Sequence, residues 1–456
     1  MGRSPAPRVE ARQLDKLAGY PFVVVAWVDD AGYPMSVATD FSIDAERGVV
    51  TLRQPAGEAA AIPTDRAVSV LGSHIRPTPG QGYDERRYQQ LWGTAADAGE
   101  GSVVVTPTRA WGWDETEVPF FEYSERSVPQ SRRYLAELSR EKGRIIRPRL
   151  SAGWLFLRTT RLPFLSATAV PVLLGIAVAA RGGTFDLGLA LLTVIGAALA
   201  HLAINVSNDI FDTLSGADAA NVTPTPFSGG SRVLLYDLLT LRQLIALDLA
   251  LLGGAAAIGL ALVWATGSAT LLWIGIAGIA LGIGYTAPPV KLVYRGLGEI
   301  GVAIGFGPIM LLGAYVVQTG SLSWEAVVAS IPVAILVALI LYVNEIPDRV
   351  GDAAAGKGTL PVRLPQGVVT GVYLAAAGLA FAVVVVGVIA RVLPVATLLA
   401  LLAAPLVWQV YGGIRRYYAQ PYALMPVMGT NIKVHLYVGL LLLAGYGVAI
   451  VATPAP

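Results

Sequence analysis

The chain has 456 residues, of which 54% are apolar and 14% charged, with a formal net charge of +2. Soluble domains carry about a quarter charged residues, so this balance excludes an ordinary soluble protein and assigns most of the chain to lipid. The near-neutral total also excludes a nucleic-acid binder, which needs a concentrated basic surface, and the absence of cysteine excludes disulfides, thiolate metal sites and cysteine nucleophiles.

In chain order, residues 1–12 are polar and rich in Pro and Arg; they predict a disordered N-terminus without a cleavable signal. Residues 13–125 predict an all-β domain. PFVVVAWV (21–28), YPMSVATDFSI (33–43), GVVTLRQ (48–54), AVSVLGSHI (67–75), YQQLWGTAADA (88–98) and GSVVVTPTRAWGW (101–113) read as six strands. Turn signals such as DDAG and DAERG separate them, and the spacing suggests a small closed barrel. With a helical AAAIPTD stretch after the third strand, this order resembles the split-barrel family related to pyridoxamine phosphate oxidases, and the resemblance implies a bound flavin or deazaflavin. Pro55 and Gly57 stand where flavin-binding members carry a Ser and a Lys, which leaves Thr51, Arg53 and Arg87, with Arg86, as phosphate contacts. Exposed arginines on a barrel rim are the alternative reading.

The connector 126–160 is basic, with eight Lys and Arg between 126 and 149 against Glu137 and Glu141. Apolar windows then recur at 162–180, 186–207, 243–265, 269–286, 297–318, 325–345, 368–390, 392–412 and 432–452, predicting an all-α domain, 161–456, of nine transmembrane helices. Loops on the side of the connector carry Arg232, Arg242, Lys291, Arg295, Arg349, Lys357, Arg363, Arg415, Arg416 and Lys433, and the opposite loops carry Arg181 and Arg391. The positive-inside rule therefore predicts a multi-pass protein of the cytoplasmic membrane with its N-terminal domain and polar loops in the cytoplasm.

Two acidic stripes interrupt this apolar pattern. Asn205, Asn208, Asp209 and Asp212 share one helical face at the end of the second span, as do Asn344, Asp348 and Asp352 at the end of the sixth, with Glu345 beside them. Their spacing of 136 residues suggests an internal duplication with one acidic helix end per half. Ordinary helix-end polarity explains one such stripe better than two, because charge beside lipid is rare without function. Oxygen donors without a histidine or thiol cluster select Mg2+, which bridges carboxylates to phosphates. His74, His201 and His435 are isolated, and His201, one turn before Asn205, reads first as a packed helix histidine. Lys291 and Arg295 in YTAPPVKLVYRGLGE, Arg232 in TPFSGGSRVL, and Lys357 and Arg363 in GKGTLPVRL could meet the charge of a diphosphate.

Together NDIFDTLSGAD, YTAPPVKLVYRGLGE and NEIPDRVGDAAAGKGTLPVRL resemble the UbiA superfamily of intramembrane prenyltransferases over about 290 residues. The Gly216-x-Asp218 pattern, FSGGSR and GKGTLPVRL are most similar to the branch that prenylates 1,4-dihydroxy-2-naphthoate for menaquinone, apart from Pro347, where that branch commonly carries a polar residue. The resemblance implies an enzyme whose Asp209, Asp212, Asp348 and Asp352 hold Mg2+ for a polyprenyl diphosphate. Asn205, Asn208, Asn344, Lys291, Arg295, Arg232 and Lys357 would then line the diphosphate, and Tyr285 would face the allylic cation or orient the aromatic acceptor. Other acceptors of the superfamily, 4-hydroxybenzoate, homogentisate or a glycerol-phosphate lipid, and a secondary transporter are the alternatives.

Overall fold

The computed structural model describes residues 9–57, 61–78, 82–148 and 150–452. By internal contacts the chain divides into two compact units, Met1–Ser124 and Glu125–Pro456.

In the first unit, helix α1 (Ala11–Asp15) and a 3-10 turn (Lys16–Gly19) precede strands β1 (Val23–Val28), β2 (Pro34–Thr39), β3 (Phe41–Asp44), β4 (Val49–Arg53), β5 (Arg66–Thr78), β6 (Gly82–Gly99) and β7 (Ser102–Asp114). Alternation of burial along β1, β4 and β7 turns Val23, Val25, Val50, Leu52, Val103 and Val105 into one core with Leu14, Leu17 and Leu91. All pairings given for the sheet are antiparallel, and its order is β2-β1-β5-β6-β7-β4-β3. Its two edge strands are joined by Asp40 alone, so the sheet must curl; Arg53 N donates to Asp40 O at 3.0 Å where they meet. The result is a half-barrel of seven strands, one more than the sequence predicts, because YPMSVATDFSI breaks at Asp40. No helix forms over residues 61–65 of AAAIPTD; its first two residues, like residues 1–8 of the expected disordered terminus, lie outside those described, and α1 already begins at Ala11. The expected phosphate contacts all lie on strands of this unit, Thr51 and Arg53 on β4 and Arg86 and Arg87 on β6. Thr51 pairs between Ser42 and Val104, Arg53 faces Asp40 at 3.7 Å, Arg86 is ion-paired to Glu115, and the Arg87 guanidinium sits 6.0 Å from the Tyr20 ring.

The basic connector is largely helical, with α2 (Phe120–Glu141) and α3 (Ala152–Thr160); Arg149 lies outside the described residues. There follow α4 (Ser166–Arg181), α5 (Leu187–Leu214), α6 (Ala217–Ala220), α7 (Leu241–Thr266), α8 (Ala269–Thr286), α9 (Gly298–Ile304), α10 (Met310–Thr319), α11 (Trp324–Ala354), α12 (Leu360–Arg363), α13 (Gln366–Ile389), α14 (Ala404–Tyr417) and α15 (Met425–Ala452). Among the described residues eight helical segments are long and apolar enough to cross a membrane, counting α9 with α10 and the 3-10 stretch Val395–Ala403 with α14. The first of the nine expected spans is shorter: Arg161 takes a left-handed conformation (φ 52°) that stops α3, a 3-10 turn uses Leu162–Leu165, and 16 residues remain for α4. The span Gly298–Thr319 is interrupted by a π-helical turn, Gly305–Ile309, that contains Pro308. Both acidic motifs are helical throughout: α5 runs through NDIFD to Leu214, and α11 runs through NEIPDRVGD to Ala354.

Small residues set the distances between these helices, as they do where neither partner gains by leaving lipid. A Cβ on Gly175 of α4 would stand 2.3 Å from the Leu311 carbonyl oxygen of α10. That atom belongs to backbone and cannot swing away. Overpacking of this kind costs about 1–3 kcal/mol. Gly175→Ala should therefore lower the thermal midpoint in detergent by several degrees, whereas Gly378→Ala, at a position with open space, should leave it unchanged.

Candidate active site

The stripe on α5 and the stripe on α11 both line one cavity of about 610 Å3. Asn205, Asn208, Asp212, Asp218, Asn344, Asp348, Asp352 and Lys357 stand at its polar end. The rest of its wall is apolar, with Ile204, Leu252, Ile258, Leu281, Ile309 and Val337 among the contributors. The π turn opens α9–α10 onto this space, adding Gly305, Phe306 and Ile309 to the lining.

The carboxylates are held by different partners. Asp212 accepts from Tyr294 Oη at 2.9 Å, Lys357 Nζ at 3.2 Å and Asn208 Nδ2 at 3.3 Å. Lys357 Nζ also lies 3.9 Å from Asp352, so one ammonium spans both stripes. Asp348 accepts from Asn221 Nδ2 at 2.8 Å and from the Gly229 amide at 2.9 Å. Asp209 accepts from Arg161 at 2.8 Å and from the Ser231 amide at 3.1 Å. The FSGGS loop thus reaches both halves through backbone N–H groups. Gly229 and Gly230 have φ of 76° and 75°, and a Cβ on Gly230 would stand 2.8 Å from Asp218 Oδ1, so glycine is required there. Gly351 similarly lets α11 approach the backbone of Asn221, where a Cβ would stand 2.8 Å from its Cα.

Several expected site residues lie elsewhere. Asp209 is buried but does not line the cavity; its oxygens anchor Arg161 and the FSGGS loop. Arg232 is buried and donates to the Asp218 and Asn221 carbonyls, because its left-handed backbone turns it away from the cavity. Lys291 Nζ sits 4.9 Å from the Tyr294 ring centroid, and Arg295 donates to the Pro289 carbonyl at 2.9 Å; neither lines the cavity. Asn205 lines it while donating to Thr160 O at 2.9 Å, and Tyr285 lines it from the end of α8. His201 lines it too, with Nδ1 2.6 Å from Thr168 Oγ1, while His435 stands 3.4 Å from the Ser166 carbonyl. The sequence did not mark Arg161 and Tyr294 as site residues, and it marked Asp218 only within the Gly216-x-Asp218 pattern, without a site role. Arg161 lies outside every motif; Asp218 could have been found by its place six residues after Asp212 in NDIFDTLSGAD.

Outside the spans, burial works against the charge of Lys357, and Asp212 and Asp352 outweigh it, holding its ammonium well above the usual lysine range. Burial, then Asp209 and Asp212, push Asp218 up to about 7. Burial and Asp212 push Tyr294 up to about 12.

Among the described residues no three His, Cys, Asp or Glu side chains converge as a ready-made metal cage. Mg2+ takes one or two protein carboxylates and fills its octahedron with water and phosphate oxygens. The donor set at the polar end is entirely oxygen, apart from the Lys357 and Arg161 cations.

The helical unit combines many apolar spans with a cavity that is acidic at one end and apolar along its length. The chain belongs to the UbiA prenyltransferase family, which it matches over residues 168–448, and it is an enzyme of that family. It is 30% identical over 301 residues to a 2-carboxy-1,4-naphthoquinone phytyltransferase of Synechocystis sp., a match covering 64% of this chain and 93% of that one. It is 31% identical over 212 residues to a 1,4-dihydroxy-2-naphthoate octaprenyltransferase of Bacillus subtilis, covering 46% of this chain and 66% of that one. Among solved structures, a UbiA homolog from Aeropyrum pernix K1 aligns with a TM-score of 0.46 at 20% identity, over 61% of this chain and 97% of that one.

Asp218 gives a test that does not need turnover. Its folded value of about 7 exceeds the ordinary 3.8, so the folded state keeps this proton longer than the unfolded chain does. The stability it contributes is complete below pH 3.8 and lost as the pH rises through about 7. In metal-free detergent solution, the midpoint of Asp218→Asn minus that of the parent should therefore shift in the variant's favour across this window. A difference independent of pH would contradict the assignment.

Proposed function

We propose that the helical unit transfers a polyprenyl group from its diphosphate to an aromatic acceptor of the 1,4-dihydroxy-2-naphthoate type. The observation that carries this reading is the polar cavity end, where Asp212 and Asp218 from one half meet Asp348 and Asp352 from the other, around Lys357 and ahead of an apolar tunnel. Both relatives described above act on naphthalene-ring substrates by name, which favours this acceptor class over a benzoate or a lipid alcohol.

Asp212 or Asp218 from one half and Asp348 or Asp352 from the other would hold Mg2+, which when bound neutralises the diphosphate and eases its departure as a Lewis acid. Lys357, already between the stripes, receives charge that develops on the leaving oxygens. Arg161 stands at the same cavity and is kept in place by Asp209. The apolar wall excludes water from the allylic cation and accommodates the chain, and the Tyr285 ring stabilises that cation from the cavity side.

The same reading makes α4 the first of nine crossings, places the basic loops and the polar cavity end on the cytoplasmic side, and treats the half-barrel as a split barrel attached to the enzyme. Its domains are then 13–125, the helical connector 126–160 and the transferase 161–456.

Incubation of the purified chain with Mg2+, a polyprenyl diphosphate and 1,4-dihydroxy-2-naphthoate should give a prenylated product by mass. Asp212→Asn and Asp348→Asn should each lower the rate by about 100-fold or more, the scale of losing a charge-stabilising group. Lys291→Met should stay within about twofold of the parent, a change too small to signify lost transition-state contact. Full turnover in the two aspartate variants would refute the site.

A further inference from the structure

Transfer of an allylic group to a hydroxylated aromatic ring releases a proton, and a cavity that excludes water offers no bulk base to take it. Asp212, Asp218 and Asp348 all accept hydrogen bonds, and Asp352 faces the Lys357 ammonium at 3.9 Å. Glu345 differs from these four. It lines the cavity from α11, only 5% exposed, and neither of its carboxyl oxygens receives a hydrogen bond from an N–H group or a hydroxyl; its polar neighbour is the Glu299 carboxyl. Burying a carboxyl whose hydrogen-bonding neighbour is another carboxyl is costly, so its position calls for a ligand or a task.

Glu299, on α9, is buried beside it, the two carboxyls within hydrogen-bonding reach of each other. The groups that act on Glu345 are Glu299, Lys357 and Tyr285 from neighbouring elements, and Asp352 and Tyr342 from α11 itself. Glu299 in turn lies against the backbone of Leu360 and near the Arg363 guanidinium, and Arg363 is exposed. The two glutamates therefore form a chain of carboxyls from the cavity wall to the α12 turn. Paired carboxyls share and pass a proton.

We propose that Glu345 is the proton acceptor of the transfer step and that Glu299 relays the proton away from the cavity. This rests on the transferase reading and adds a residue to it. In the step, the allylic C–O bond of the donor breaks with its electron pair going to the diphosphate. A C–C bond forms between the allylic carbon and the acceptor ring. The C–H bond at the attacked ring carbon breaks, its electron pair restores the aromatic ring, and its proton passes to a Glu345 oxygen and on to Glu299.

The test separates ionisation of the donor from proton removal. Donor labelled with 18O at the bridging oxygen is incubated with the full-length chain and Mg2+ in the absence of acceptor, and scrambling of the label reads ionisation and return. Product formation with 1,4-dihydroxy-2-naphthoate reads the whole reaction. Glu345→Gln should cut product formation by about 100-fold, within the range for loss of a general base, while scrambling stays within about threefold of the parent. Retained scrambling also reports that the variant is folded. Glu345→Asp should recover part of the loss, and Glu299→Gln should fall between parent and Glu345→Gln. Product formation near the parent rate in Glu345→Gln would overturn the proposal. So would scrambling that falls in step with product, or a raised Mg2+ requirement, since either would place Glu345 in the diphosphate site. A parent chain giving neither scrambling nor product would instead refute the transferase reading itself.

Discussion

The architecture of the site depends on one ammonium group. Lys357 leaves the end of α11, folds back, and places Nζ 3.2 Å from Asp212 on α5 and 3.9 Å from Asp352 on α11. Two carboxylate stripes on separate helices would repel across a partly desolvated space; a cation between them allows both to face the same cavity. The FSGGS loop performs the same service with backbone amides, tying Asp348 to Gly229 and Asp209 to Ser231. Magnesium and a diphosphate would enter a site whose charges are already arranged in layers: acid, cation, acid.

From the polar end inward, packing decides what the cavity admits. Glycines permit close approach of α4 to α10 and of the π turn to α11, where a Cβ on Gly307 would stand 2.3 Å from the Ala334 Cβ. The π turn at Gly305–Ile309 breaks the regular ladder and places Phe306 edge-on to His201, ring centroids 5.0 Å apart. The apolar wall therefore owes its depth to an irregular segment of backbone, which is tolerated in a membrane protein where it borders a cavity.

Legibility in the sequence followed periodicity. The offsets of Asp212 and of Asp348 and Asp352 along their helices identified a shared face, since 3.6-residue periodicity survives in any context. Lys357 was legible as a basic residue after the second motif, though its bridging position was not. Arg161 and Tyr294 were invisible as site residues because their contacts come from the folding of separate turns onto α5, and no spacing rule links them to Asp209 or Asp212. Lys291 and Arg295 looked suitable by charge alone, yet their turn directs them to the Tyr294 ring and the Pro289 carbonyl. Asp209 shared the helical face of Asp212 to within one residue step, but the difference of about 60° that three residues leave on a helix is enough to send it to Arg161 instead. In the half-barrel, the break at Asp40 went unread because YPMSVATDFSI is continuous in β propensity.

The central claim is that the two halves share one metal-diphosphate site bridged by Lys357. It is tested most directly by solving the structure with Mn2+ in place of Mg2+ and an unreactive thiolodiphosphate analogue, using the anomalous signal of the metal. Metal should be bound to Asp212 or Asp218 from one half and to Asp348 or Asp352 from the other, with Lys357 on the diphosphate and Asp209 still held by Arg161. Metal ligated by Asp209, or a diphosphate seated against Lys291 and Arg295 away from Lys357, would contradict it.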